Sequence, residues 1–227
     1  GSTKTLNPNI PWYQGLQDAR GYDSIIPAQY VQYMSAIEGQ GELLYNQIAA
    51  IYGLENLSSP LLDLLNVRYV MTEGEIPNAD YRLVYDDEVR IYENTDALPR
   101  AFALPLAEIV GEADLPARLR SFDPRQVVLL DESACPEPGA ASPTAGANWP
   151  LQRANLVTYA PNAVFVDVEM PGPGWLVLAD SYFSGWKAYR SDPDPQVPTP
   201  DPRYVPPGET ELEIVRADGN FRAVYLP

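Results

Sequence analysis

Apolar side chains at Tyr30, Tyr33, Met34 and Ile37 fall at i, i+3, i+4 and i+7, the spacing of one helix face, and predict a helix over residues 27–38. Residues 42–52 repeat the pattern with Leu44, Ile48, Ile51 and Tyr52. Ser59-Pro60 reads as an N-cap followed by proline at the first helical position, opening a short apolar helix over 61–65. The period then shortens. Val67, Tyr69 and Met71 alternate with Arg68, Val70 and Thr72, as in a strand. Two further runs, 81–85 and 89–93, flank Asp86-Asp87-Glu88 and predict a hairpin with an acidic turn. Residues 101–104 read as another strand. Asp114 reads as the cap of a helix carrying Leu115, Leu119 and Phe122, and 126–130 as a central strand.

Beyond residue 131 the pattern changes. Pro136, Pro138, Gly139, Pro143, Gly146 and Pro150 among Ala and Ser mark 132–150 as a linker or long loop. From 151 onward helical periodicity stops. Runs at 156–159, 163–169, 175–180, 186–190, 211–215 and 221–226 read as short strands, the signature of a β-sandwich. Residues 191–207 hold seven prolines and are excluded from a central strand, because proline donates no ladder hydrogen bond. The fold class read from the pattern is α+β. An N-terminal α+β domain (3–131) precedes a linker (132–150) and a C-terminal antiparallel β-sandwich (151–227).

Charge narrows the chemistry. The 227 residues carry 31 acids, 15 bases, no histidine and one cysteine, for a net charge of −16. Without histidine there is no Ser-His-Asp triad and no His-ligated zinc, and one cysteine makes no internal disulfide. So acidic a chain is no partner for nucleic acid. No apolar run approaches the roughly 20 residues of a membrane helix. Gly1-Ser2 resembles the scar of a cleaved tag and the chain stops just after a strand-like run, which reads as an excised piece of a longer protein.

Candidate chemistry is sparse. Asp86-Asp87-Glu88 reads as a solvated turn, Cys135 as a plain thiol, and Asp192, Asp194 and Asp201 as a loop that matches no calcium motif. Asp180 is sharper, because it ends the apolar run 175–179. Trp175, Tyr182, Phe183, Trp186 and Tyr189 crowd into fifteen residues, as core or as a platform for sugar rings. Asp23, after Gly21-Tyr22, is a helix cap or part of a site. The residues singled out for a ligand-facing surface are Tyr22, Asp23, Asp180, Tyr182 and Trp186. No catalytic residue, metal site or cofactor is assigned.

The run Leu64-Leu65-Asn66-Val67-Arg68-Tyr69-Val70-Met71-Thr72 resembles the "LLNVRYVLT" segment of the YfhO family of bacterial polytopic membrane proteins. Five further segments fit in the same order. They are Gly15-Leu16 with Gly21-Tyr22-Asp23-Ser24; Val89-Arg90-Ile91-Tyr92-Glu93-Asn94; Leu98-Pro99-Arg100-Ala101-Phe102; Leu178 through Ala188; and Phe221 through Pro227. The resemblance implies a large extracytoplasmic region attached to a membrane part similar to GT-C glycosyltransferases, which take sugars from polyprenyl-phosphate carriers. It also implies a further strand after residue 227, so that the sandwich is truncated with an open edge. No segment matches the catalytic loop of those enzymes.

The expectation is therefore an extracytoplasmic domain at the bacterial cell membrane. It would position a cell-surface polymer acceptor or cap a membrane active site, with the transmembrane part of the same polypeptide and a glycan as partners. A structural or protein-interaction module, or a stand-alone carbohydrate-binding module, are the alternatives.

Overall fold

The computed structural model describes residues 10–20, 24–40, 48–132, 148–190 and 210–227. Tyr22, Asp23, Cys135, the proline-rich stretch 191–207 and nearly all of the linker lie outside the described residues. The class is α+β, with a few short helices and fourteen strands among the described residues. The chain divides into one unit of residues 1–98 and 115–124 and a second of residues 99–114 and 125–227.

In the first unit, helix α1 (Ala28–Ile37) follows Pro27 and buries Tyr33, Met34 and Ile37, the face its period predicts. Helix α2 (Pro60–Leu64) begins at Ser59, whose hydroxyl accepts the Leu61 N–H at 3.4 Å. It ends at Asn66, which takes the left-handed conformation (φ 61°) and donates its side-chain amide to the Leu98 carbonyl. The Val67 N–H returns to the Leu62 carbonyl at 3.0 Å, closing the helix as a left-handed cap does. Strands β1 (Tyr69–Thr72), β2 (Tyr81–Asp86) and β3 (Arg90–Asn94) form an antiparallel sheet in the order β1-β3-β2. The acidic run leads into its hairpin turn: Asp86 ends β2 opposite Arg90, and residues 87–89 make the turn. Helix α3 (Leu115–Leu119) packs on α1.

The helix expected over 42–52 fails where it is described. Residues 48–52 make no helical turn. Two of their N–H groups are held by side chains instead: Gln40 accepts from Ala49 at 2.9 Å and Glu38 from Tyr52 at 2.8 Å. A side chain that captures a backbone donor offers an alternative to the helical ladder.

The second unit is built on a seven-stranded mixed sheet. Its strands are β4 (Ala101–Leu104), β5 (Ala107–Val110), β6 (Val128–Asp131), β7 (Gln152–Arg153), β10 (Gly174–Ser181), β13 (Ile214–Ala217) and β14 (Phe221–Leu226), in the order β5-β6-β13-β14-β10-β4-β7. Strands β5 and β6 run parallel, and the other pairs antiparallel. Two hairpins complete the unit: β8 (Asn155–Ala160) with β9 (Ala163–Asp167), and β11 (Ala188–Arg190) with β12 (Thr210–Leu212). Strands 101–104 and 128–131, expected in the N-terminal domain, thus pair with strands from the C-terminal half. Strand β14 is paired on both sides, and among the described residues the sheet's edges are β5 and β7.

Register gives the sheet two faces. Phe102, Leu104, Trp175, Val177, Val215, Ala217 and Ala223 share one, all at most 1% exposed. Leu176, Leu178, Ile214, Arg216, Arg222 and Val224 share the other, where polar residues enter.

The turn between β13 and β14 places a carboxylate inside the protein. Asp218 (φ 49°) and Gly219 (φ 74°) are both left-handed, and the Asn220 N–H closes the turn on the Ala217 carbonyl at 3.1 Å. This is the type I′ pattern that Asp-Gly favours in hairpins. Asp218 is 1% exposed and accepts the Leu129 N–H at 2.8 Å. Burial pushes its carboxyl up to about 7, against the opposing pull of that N–H. Between the ordinary value and about 7 the folded chain therefore holds a proton that the unfolded chain has released, so this residue's contribution to stability falls as pH rises through that window. Asp218→Asn keeps an acceptor for Leu129 and suits the turn. Urea unfolding should show a gain of about 1–2 kcal/mol at pH 8 and little gain at pH 4.

Candidate functional site

Strand β10 carries an uninterrupted apolar run and then a carboxylate, Asp180. The β10–β14 pairing is irregular between Leu178 and Ser181, so the chain bulges at Ala179-Asp180 beside Arg222 of β14. Asp180 is a hub for three donors from three other strands or loops. The Arg222 guanidinium lies 2.6 Å from one carboxylate oxygen. Arg100 lies 3.3 Å from the other, and the Tyr159 hydroxyl of β8 donates to that same oxygen at 2.9 Å. Arg100 also donates to the Ala179 carbonyl at 2.9 Å, which fixes it against the strand.

Trp186 follows a turn whose Gly185 has φ 104°, a conformation that a side chain would strain although the space there is open. That turn sets the indole 4.3 Å from the Arg222 guanidinium, in cation–π contact. Arg100 lies 5.9 Å from the Tyr159 ring. Burial pulls the Arg222 guanidinium below its ordinary value, and Asp180 opposes that pull. Arg222 is 7% exposed and its Nε has no hydrogen-bond partner among the described residues.

These groups surround a hollow of about 200 Å³ lined by Tyr159, Ala160, Pro161, Val164, Asp180, Trp186 and Arg222. The hollow offers two aromatic rings, an aliphatic wall, and one carboxylate–guanidinium pair. It is smaller than the few hundred Å³ of typical small-molecule pockets, which suits a single ring or short chain. Both oxygens of Asp180 are already engaged, so its role is to hold Arg222, Arg100 and Tyr159 in place.

Of the residues singled out from the sequence, Asp180 and Trp186 come together here. Tyr182 stands two residues past the bulge, its N–H donating to the Asn220 carbonyl at 2.7 Å, and does not line the hollow. Tyr22 and Asp23 lie outside the described residues. Trp175, also offered as a sugar platform, is core: it is 1% exposed and packs 5.3 Å from the Tyr225 ring. Tyr159, Arg100 and Arg222 were missed. Arg222 had a readable signal, since an arginine between Phe221 and Ala223 in an apolar strand needs a buried partner.

Among the described residues no group of three or more metal-ligating side chains lies together. Nor, among them, is any helix long and apolar enough to cross a membrane. Comparison with family models, with curated proteins and with solved structures returned no match.

Proposed function

We propose that this chain is the extracytoplasmic domain of a membrane-embedded, glycosyltransferase-like protein, and that the hollow beside Trp186 receives a sugar unit of a cell-surface polymer. The observation that carries the reading is the meeting of Tyr159 and Trp186 over the Asp180–Arg222 pair in one hollow. Aromatic faces pack against the apolar faces of sugars, and a guanidinium serves their hydroxyls. The resemblance to the YfhO family supplies the membrane context. In this reading the domain binds and positions, and sugar transfer belongs to the membrane part. The finer fold proposed with it is a β-sandwich, in which the β8–β9 hairpin starts a second layer over the sheet. The Tyr159–Asp180 hydrogen bond between hairpin and sheet supports that arrangement.

The test is a glycan array followed by titration of the best binder. Wild type should bind, and a folded Trp186→Ala variant should bind about tenfold or more weakly, as loss of a stacking ring predicts. No binding to any glycan by the folded wild type, or unchanged affinity in the variant, sinks the reading.

A second reading, a protein-interaction module, is favoured by one observation. Tyr69, Met71, Leu83, Val84 and Tyr85 of the three-stranded sheet are 36–54% exposed.

A further inference from the structure

The cluster behind the hollow is unbalanced in charge. Arg222 lies 2.6 Å from one oxygen of Asp180, and Arg100 lies 3.3 Å from the other. Among the described residues neither arginine has a second carboxylate partner. Two guanidiniums against one carboxylate leave one positive charge in excess, within a chain whose net charge is −16.

Arg222 is also short of acceptors. A guanidinium carries five N–H donors. Among the described residues Arg222 uses Nη2 on Asp180, while Nε and Nη1 have no acceptor. Nε is sealed from water, so what Arg222 offers a molecule in the hollow is its Nη end, where Nη1 is unused. The Trp186 ring faces the guanidinium at 4.3 Å and supplies no oxygen to it. A side chain only 9% exposed, with donors unused, gains most from an acceptor brought by a ligand. A neutral hydroxyl would meet the donor and leave the excess charge. An anion meets both, and hydrogen bonds between ionised partners are about twice as strong as neutral ones.

We propose that the hollow takes an acidic sugar, a uronate ring whose carboxylate pairs with Arg222 while its apolar face lies beside Tyr159 and Trp186. This rests on the reading of the hollow as a sugar site and names the class of sugar. Two features favour a carboxylate over phosphate, the other anion that sugars carry. One excess positive charge matches one carboxylate, whereas a phosphate monoester brings about −1.5 to −2. A carboxylate also stands in place of the ring's hydroxymethyl group without added bulk, whereas a phosphate adds a tetrahedral group to a hollow of about 200 Å³. The acidic surface repels an anion at long range. At 0.15 M salt that reach falls to about 8 Å, so it slows arrival more than it weakens the bound pair.

The test titrates wild type with three probes, by calorimetry and by NMR of the tryptophan indoles. The probes are uronate oligomers, neutral hexose oligomers of the same configuration and linkage, and hexose 6-phosphates. Uronates should bind about tenfold or more tightly than their neutral counterparts, and more tightly than the phosphates. A folded Arg222→Gln variant should bring uronate and neutral oligomer to within about twofold of each other. Wild type alone carries the first comparison, so it holds whether or not the variant folds. Binding of neutral oligomers that depends on Trp186, with no preference for uronates, overturns this inference and leaves the sugar site standing. Tighter binding of the phosphates overturns the choice of carboxylate. A uronate preference that survives in folded Arg222→Gln overturns the part given to Arg222. No binding of any probe removes both readings.

Discussion

Asp180→Ala is expected to lower stability by about 3–5 kcal/mol, the range for removing one partner of a buried ion pair. The side chains of Asp180 and Arg222 are only 13% and 9% exposed, so the loss leaves a buried guanidinium without its counter-charge. Arg100 and the Tyr159 hydroxyl lose an acceptor at the same time. For chains of this length each kcal/mol moves Tm by about 2–4 °C, so calorimetry should show a fall of roughly 10 °C. Changing both partners separates charge from packing. Asp180→Ala with Arg222→Met removes the orphaned charge as well as the pair, and should recover part of the loss. A double variant as unstable as the sum of the singles would mean that the two side chains act independently and that the hub account is wrong.

Gly174→Val is expected to be about as damaging for a steric reason. A Cβ at Gly174 would meet the Leu104 carbonyl oxygen at 2.6 Å and the Trp149 ring at 2.7 and 3.0 Å. The oxygen belongs to the backbone of the neighbouring strand and cannot rotate away, because Trp175 and Leu104 are paired. Either the ladder opens or Trp149 leaves its place. A loss of about 3 kcal/mol or more in urea unfolding, with a shift in tryptophan emission, is the expected signature. Gly39→Ala is the control, since nothing lies within 4 Å of that position. A Gly174→Val protein as stable as wild type would show that the sheet yields more easily than this contact implies.

Local structure was legible where one short window decides it. The helix face of Tyr33, Met34 and Ile37, the Ser59 cap and the acidic hairpin turn each depend on a few adjacent residues. The helix read over 42–52 failed in its described part because Gln40 and Glu38 take the backbone donors, and periodicity does not see that competition. Sheet order was not legible. Ala101–Leu104 and Val128–Asp131 are short apolar strands that would suit many partners, and those they take lie far along the chain. The turn at Asp218-Gly219 was readable as a hairpin signal and was passed over. At the site, the end of an apolar run pointed to Asp180, and local crowding of aromatics to Trp186. Tyr159 and Arg222 arrive from strands 21 and 42 positions away, which no local pattern reveals.

The Asn66 cap also joins two distant points of the first unit. Its side chain, its left-handed backbone and the Leu98 carbonyl tie the end of α2 to a loop 32 residues further on. Asn94 repeats the tie, donating to Asp63 at 2.8 Å and to the Val67 carbonyl at 3.1 Å.

The order in which the chain visits its two units has a consequence for taking the protein apart. It leaves the first after residue 98, returns for 115–124, and leaves again. No single cut frees either unit whole, since cleavage between 98 and 99 strips the first of α3 and cleavage after 124 strips the second of β4 and β5. Dissection by limited proteolysis should therefore yield nicked but associated pieces, not two free-standing domains. Isolating either unit calls for a short bridge in place of the excursion, joining 114 to 125 for the second unit or 98 to 115 for the first.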